Sequence, residues 1–216
     1  MKINSLVLSL QFMTLLCFSQ EQESKQTTKP SLFGLKSGIN VSSFSASVNS
    51  EPKSKIGLSL GFFLKKPLTN DKAFLRWEVY YSNQGQKDNY VAPPSGPSIG
   101  NTTTSIHYIN SPLLFEYGRK LSLQAGVQLG LLIMGTEKGK YDGESVNNNL
   151  KDVVNKTDLG VVLGVGFSPI KKLSFGFRYN IGVTDIYKGD SGANLPFEYP
   201  SVSNRVLHFY IATSFK

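Results

Sequence analysis

The chain has 216 residues, 40 % of them hydrophobic, and a mean hydropathy of −0.15, which suits one domain with a substantial core and is far too polar for a bundle of membrane helices. The net charge of +8 is scattered among turns and loops rather than gathered as a nucleic-acid footprint, so no nucleic-acid partner is expected. A single cysteine, Cys17, excludes a disulfide framework.

Residues 1–19 read as a secretory signal peptide: Lys2 opens it, Leu6 to Phe18 form the apolar stretch, and Cys17-Phe18-Ser19 precedes cleavage before Gln20. The stretch is too short for an anchor and runs into the polar EQESKQTTKP; Leu16 before Cys17 is not the small residue that lipoprotein processing wants. Residues 20–32 then form a periplasmic linker, and 33–216 a single domain whose side chains alternate with a period of two, the strand signature.

The first strand sets Phe33, Leu35, Ile39 and Val41 against Gly34, Lys36, Gly38, Asn40 and Ser42. After a polar loop, 45–54, the second sets Ile56, Leu58, Leu60, Phe62 and Leu64 against Gly57, Ser59, Gly61 and Phe63. The third sets Leu75, Trp77, Val79 and Tyr81 against Arg76, Glu78, Tyr80 and Ser82. A long loop is expected from Gly85 to about Thr102, broken by Pro93-Pro94 and Gly96-Pro97. In the fourth strand Ile109, Leu113, Phe115 and Tyr117 oppose Asn110 and Glu116, and Pro112 removes a ladder donor, predicting a bulge or local widening. The fifth runs apolar from Leu121 to Ile133 on one face and Ser/Gln/Gly on the other, before the longest loop, 135–156. The sixth and seventh form a hairpin from Asp158 to Asp185 around Pro169-Ile170-Lys171-Lys172; a fourth loop, 186–204, leads to the eighth strand, with Leu207, Phe209, Ile211 and Phe215.

Eight antiparallel strands of about ten residues, joined alternately by short turns and long loops, are the pattern of a transmembrane β-barrel. Short turns in the periplasm put both termini there and the long loops outside the cell, with the barrel monomeric in the outer membrane and lipid as its main partner. Phe33, Phe62, Phe74, Trp77, Phe115, Tyr117, Phe167, Phe175 and Phe215 gather near the short-turn ends as an interfacial girdle. The lysines beside the turns, such as Lys65, Lys66, Lys171 and Lys172, read as interfacial anchors. The rival fold, a secreted lipocalin-like carrier with the greasy face inward, leaves that girdle unexplained and asks an eight-stranded interior to hold too many large side chains.

FGLKSGIN in the first strand, EVYYSNQG closing the third, INSPLLFEYG in the fourth and FRYNIGVTDI in the seventh resemble the PorT-like outer-membrane β-barrel family of Gram-negative bacteria, over essentially the whole mature chain. The resemblance implies the barrel and, through one member type, an accessory role in protein secretion or other surface assembly alongside envelope proteins.

Lys36, Arg76, Glu78, Glu116, Asp158 and Arg178 fall on the interior face, where they are expected to pair across a narrow lumen and plug it; Arg76 with Glu116 is the expected first pair, Glu78 with Arg178 the second. An ion pathway is the alternative. His107 and His208, the chain's two histidines, invite a lipid-modifying barrel enzyme, with Ser105 or Ser111 beside His107, but no nucleophile elbow or ligand spacing accompanies them. Neither catalytic residues, a metal nor a cofactor is therefore expected, and function is placed in binding or assembly through the long loops.

Overall fold

The computed structural model describes residues 30–45, 50–68, 72–91, 98–188 and 202–215; the expected signal peptide and most of the linker lie outside them. The strands are β1 (Leu32–Phe44), β2 (Ser50–Pro67), β3 (Ala73–Val91), β4 (Ser98–Gly118), β5 (Leu121–Tyr141), β6 (Glu144–Asn149), β7 (Thr157–Ile170), β8 (Leu173–Gly182) and β9 (Asn204–Phe215). Eight of them close a ring, β1-β2-β3-β4-β5-β7-β8-β9, in which β1 pairs with both β2 and β9 and every pairing is antiparallel. β6 stands outside the ring, hydrogen-bonded along the far end of β5 from Thr136 to Tyr141.

The period of two dictates which way each side chain goes. On β7, Leu159, Val161, Leu163, Val165 and Phe167 are exposed, whereas Asp158, Gly160 and Val162 are buried. The same inversion runs through β1, β2, β5, β8 and β9, giving a continuous apolar collar around a polar interior. In water so large an apolar surface would drive aggregation; in hydrocarbon it is the stable arrangement, because a closed ring leaves no unpaired backbone edge. The lipocalin-like alternative, greasy face inward, has the faces reversed.

Three long connections expected from the sequence are shorter, because the ladders continue past the apolar rows. β2 begins at Ser50, β3 and β4 pair out to Val91 and Ser98, and β5 runs to Tyr141 before turning back as β6. These polar stretches lack apolar alternation but still satisfy their backbone groups against a neighbour.

Pro112 keeps its place in register with Gln128 of β5 and causes no bulge. Towards β3 the ladder is interrupted between Trp77↔Leu113 and Tyr80↔Asn110 with the register unchanged, over the stretch where Pro112 lacks a donor. The bulge sits a few residues earlier, between His107 and Tyr108: Leu132 keeps its inward place in the row of Gln124, Gln128 and Gly130, opposite Tyr108, while the next two residues, Ile133 and Met134, are both exposed.

Candidate functional site

The lumen is filled in layers. At its centre Glu78 of β3 has no exposed surface and accepts from three cations. Lys36 Nζ of β1 donates to Oε2 at 2.6 Å and Arg76 Nε to Oε1 at 2.5 Å. Arg178 of β8, the strand diametrically opposite β3, binds as a fork: Nη1 to Oε2 at 2.7 Å and Nη2 to Oε1 at 2.9 Å. Arg178 Nε also donates to Gln124 Oε1 at 2.7 Å, and Gln124 Nε2 to the Tyr210 hydroxyl at 3.0 Å. The Tyr210 ring lies beneath the Arg178 guanidinium at 4.5 Å and the Lys36 ammonium at 4.6 Å, softening the desolvation of both.

Arg76 and Glu116, expected to be hydrogen-bonded partners, approach only to 3.7 Å through Nη1 and Oε2. Arg76 is committed to Glu78 instead, and Glu116 accepts from Lys65 Nζ at 2.8 Å and Ser122 Oγ at 2.9 Å. Lys65, expected as an interfacial anchor beside the turn, instead continues β2's interior row of Gly57, Ser59, Gly61 and Phe63 by one step. Phe74, expected in the girdle, shares this inner face, where the Lys65 ammonium sits 4.0 Å over its ring. Phe33, Phe62, Phe115, Tyr117, Phe167, Phe175 and Phe215 are exposed on the outer face near the short turns, and Trp77 is half-buried there, its Nε1 donating to Ser111 Oγ at 3.0 Å.

Towards the long-loop end the lumen continues with neutral partners. Asn40 Nδ2 donates to Ser82 Oγ at 2.8 Å, and Tyr80 to Gln128 Oε1 at 2.7 Å. Asp158 lies apart from the cations and accepts from Thr184 Oγ1 at 3.2 Å and Asn204 Nδ2 at 3.3 Å. Above it Phe44, Ile106, Tyr108, Val154 and Ile186 form an apolar cluster to which the segments after β6 and β8 contribute, joined by a bridge between Val154 and Tyr187.

The two histidines are not brought together. His208 is buried in the lumen, with Nε2 2.8 Å from Ser59 Oγ and its ring stacked on Tyr80. His107 points outward, with Nδ1 2.5 Å from the Tyr81 hydroxyl. Among the described residues neither histidine is hydrogen-bonded to a carboxylate, and no group of three or more His, Cys, Asp or Glu side chains could hold a metal.

A family model described as outer membrane protein beta-barrel domain matches residues 18–188. The chain belongs to that family. Its barrel is therefore an outer-membrane barrel, and the exposed rows face lipid. Among solved structures it is similar to Ail, the attachment invasion locus protein of Yersinia pestis, in complex with the heparin analogue sucrose octasulfate, at 14 % identity and a TM-score of 0.50, over 87 % of this chain and 100 % of that one. Neisserial surface protein A aligns over the same shares at 14 % identity and a TM-score of 0.49. No curated protein matched the sequence. The likeness to Ail concerns the fold: a small ring of antiparallel strands.

Proposed function

We propose that this outer-membrane barrel is closed to solutes and works by binding or assembly at its long-loop end, with the short turns and both termini in the periplasm. The observation that carries this reading is the ordered polar extension of β3, β4, β5 and β6 beyond the apolar rows, standing over a lumen whose central side chains, Lys36, Glu78, Leu114 and Arg178, are all at most 2 % exposed. A barrel that conducts needs water where these side chains sit. A barrel that binds needs a shaped rim, and paired strands supply one at lower entropy cost than loose loops.

The finer assignment, a PorT-like barrel accessory to secretion or surface assembly, is supported by where the resembling segments lie. FGLKSGIN carries Lys36 and Asn40, EVYYSNQG carries Glu78 and Ser82, INSPLLFEYG carries Glu116, and FRYNIGVTDI carries Arg178. Together they supply most of the lumen network. The non-enzymatic reading is supported by the separation of the two histidines, one stacked in the lumen and one on the outer face.

Site-specific photo-crosslinkers at Asn101 and Asn147, on the extension, and at Lys171, on a short turn, test the proposal in intact cells. The expected result is a discrete adduct with an envelope protein from the first two positions and none from Lys171, with no conductance steps from the purified barrel in a planar bilayer. Steady conductance, or a change in outer-membrane lipid composition on replacing His107 and His208 by alanine in a folded barrel, would refute it.

A further inference from the structure

On β3 and β5 the extension sorts its charges by face, which the near-balance of acids and bases in the sequence conceals. Lys53 of β2 stands directly opposite Lys87 of β3, Lys87 opposite Thr103 of β4, and Thr103 opposite Lys138 of β5. Lys140, opposite Asn101, is two residues further on. Directly opposed residues share a face. That face is the outer one, because the alternate positions Gln86, Asp88, Thr102 and Thr104 are buried while all four lysines are exposed. On β3 and β5 the described carboxylates go the other way: Asp88 is opposite Thr102, Glu137 opposite Thr104, and Glu137 accepts from Asn148 Nδ2 at 3.1 Å. None of the four lysines has a hydrogen bond or ion pair among the described residues. Like charges placed opposite each other on neighbouring strands are destabilising on their own.

We propose that this lysine row is a docking strip for phosphate-bearing headgroups of the lipid leaflet at the long-loop end. The proposal rests on the outer-membrane barrel, whose lipid-facing rows these same strand faces continue. On β2, Lys53 is three residues beyond Ile56, the odd step being taken up by the register shift between Ser54 and Ser59; on β5, Lys138 is four beyond Met134. That is roughly 10–13 Å along strands tilted by about 40°, so roughly 8–10 Å above the hydrocarbon edge. A lysine stem reaches down from there into the headgroup layer. The row spans three strand spacings, roughly 15 Å, wide enough for more than one phosphate. Because the lysines point sideways from the barrel wall, the anions that meet them first are those of neighbouring lipids, not of a solute arriving at the loop tips. Juxtamembrane lysines draw anionic lipid in the same way.

The test uses the refolded full chain in nanodiscs of phosphatidylcholine containing a minority of phosphatidylglycerol, with lipids retained on the released barrel counted by native mass spectrometry. Wild type is expected to retain the anionic lipid several-fold over its share of the bilayer. K53Q/K87Q/K138Q/K140Q is expected to fall to near parity, and K171Q/K172Q at the short turns to leave the enrichment from the row in place. Lys87→Gln alone, at the centre of the row, is expected to give a partial loss and serves if the quadruple variant does not refold. Equal enrichment in wild type and the lysine-row variants would overturn the strip. So would tight binding of inositol hexakisphosphate to barrels in phosphatidylcholine alone without lipid enrichment in the mixed discs, which would assign the row to a soluble polyanion. A wild-type chain that never enters the bilayer would overturn the barrel itself, an outcome distinct from insertion without enrichment.

Discussion

Replacing Glu78 by glutamine keeps the size of the side chain and removes its charge, leaving Lys36, Arg76 and Arg178, all buried, facing one another in the lumen. Breaking one buried ion pair from one side costs about 3–5 kcal/mol, because the remaining charge stays desolvated without compensation. Here three cations lose the same acceptor, through bonds of 2.5 to 2.9 Å, and the substituted amide can accept through only one oxygen. The expected loss is therefore at or above about 5 kcal/mol, comparable to the whole stability of a small domain. Urea unfolding in lipid vesicles, followed by the fluorescence of Trp77, the chain's one tryptophan, and by gel mobility of unheated samples, measures it. Adding Lys36→Met removes one surplus charge and should recover about 1–3 kcal/mol of the loss. If Glu78→Gln alone lies within about 1 kcal/mol of wild type, the three cations are neutralised in some other way and the electrostatic account of the lumen fails.

Double-mutant cycles should couple Glu116→Gln to Lys65→Met by about 1–3 kcal/mol and to Arg76→Met by less than about 1 kcal/mol, following contacts of 2.8 and 3.7 Å; the reverse ranking would put Arg76 back on Glu116. Gly176→Ala should cost about 1–3 kcal/mol, since its Cβ would sit 2.2 Å from the Tyr210 ring. In a Tyr210→Ala background the urea midpoint should no longer respond to the added methyl, and a penalty that persisted would place the strain in the backbone instead.

The ring was legible because a strand's side chains alternate strictly, so an outward row of Leu159, Val161, Leu163, Val165 and Phe167 fixes the opposite face without any tertiary information. The extension was not. Asn101 to Ser105 and Lys138 to Lys140 are polar on both faces, so hydrophobic contrast vanishes although the backbone goes on pairing. Gly85 and the prolines at 93 and 94 point to an early loop, yet Gly85, at a φ of 140°, pairs with Ser105 within a run that is continuous from Tyr80 to Tyr90. Parity likewise assigned Arg76 and Glu116 to the lumen but said nothing of reach. A long side chain chooses among neighbours on several strands, and Glu78, two residues along the same strand, lies closer to Arg76 than Glu116 does.

Parity leaves one freedom in such a barrel. A slip of one residue throws the apolar row into the lumen and is forbidden, but a slip of two keeps every side chain on its proper face. The outward rows of Leu, Val and Phe resist a two-residue slip weakly, since lipid accepts any of them at either position. The lumen resists it strongly. Glu78 and Arg178 come from opposite walls, and moving either strand by two residues carries one partner roughly 6.6 Å along it, well outside the 2.7–2.9 Å of their paired bonds. Lys36 on β1 imposes the same condition on a third strand through a 2.6 Å bond to the same carboxylate. One buried acid held by three strands thus supplies the axial register that the apolar collar leaves open.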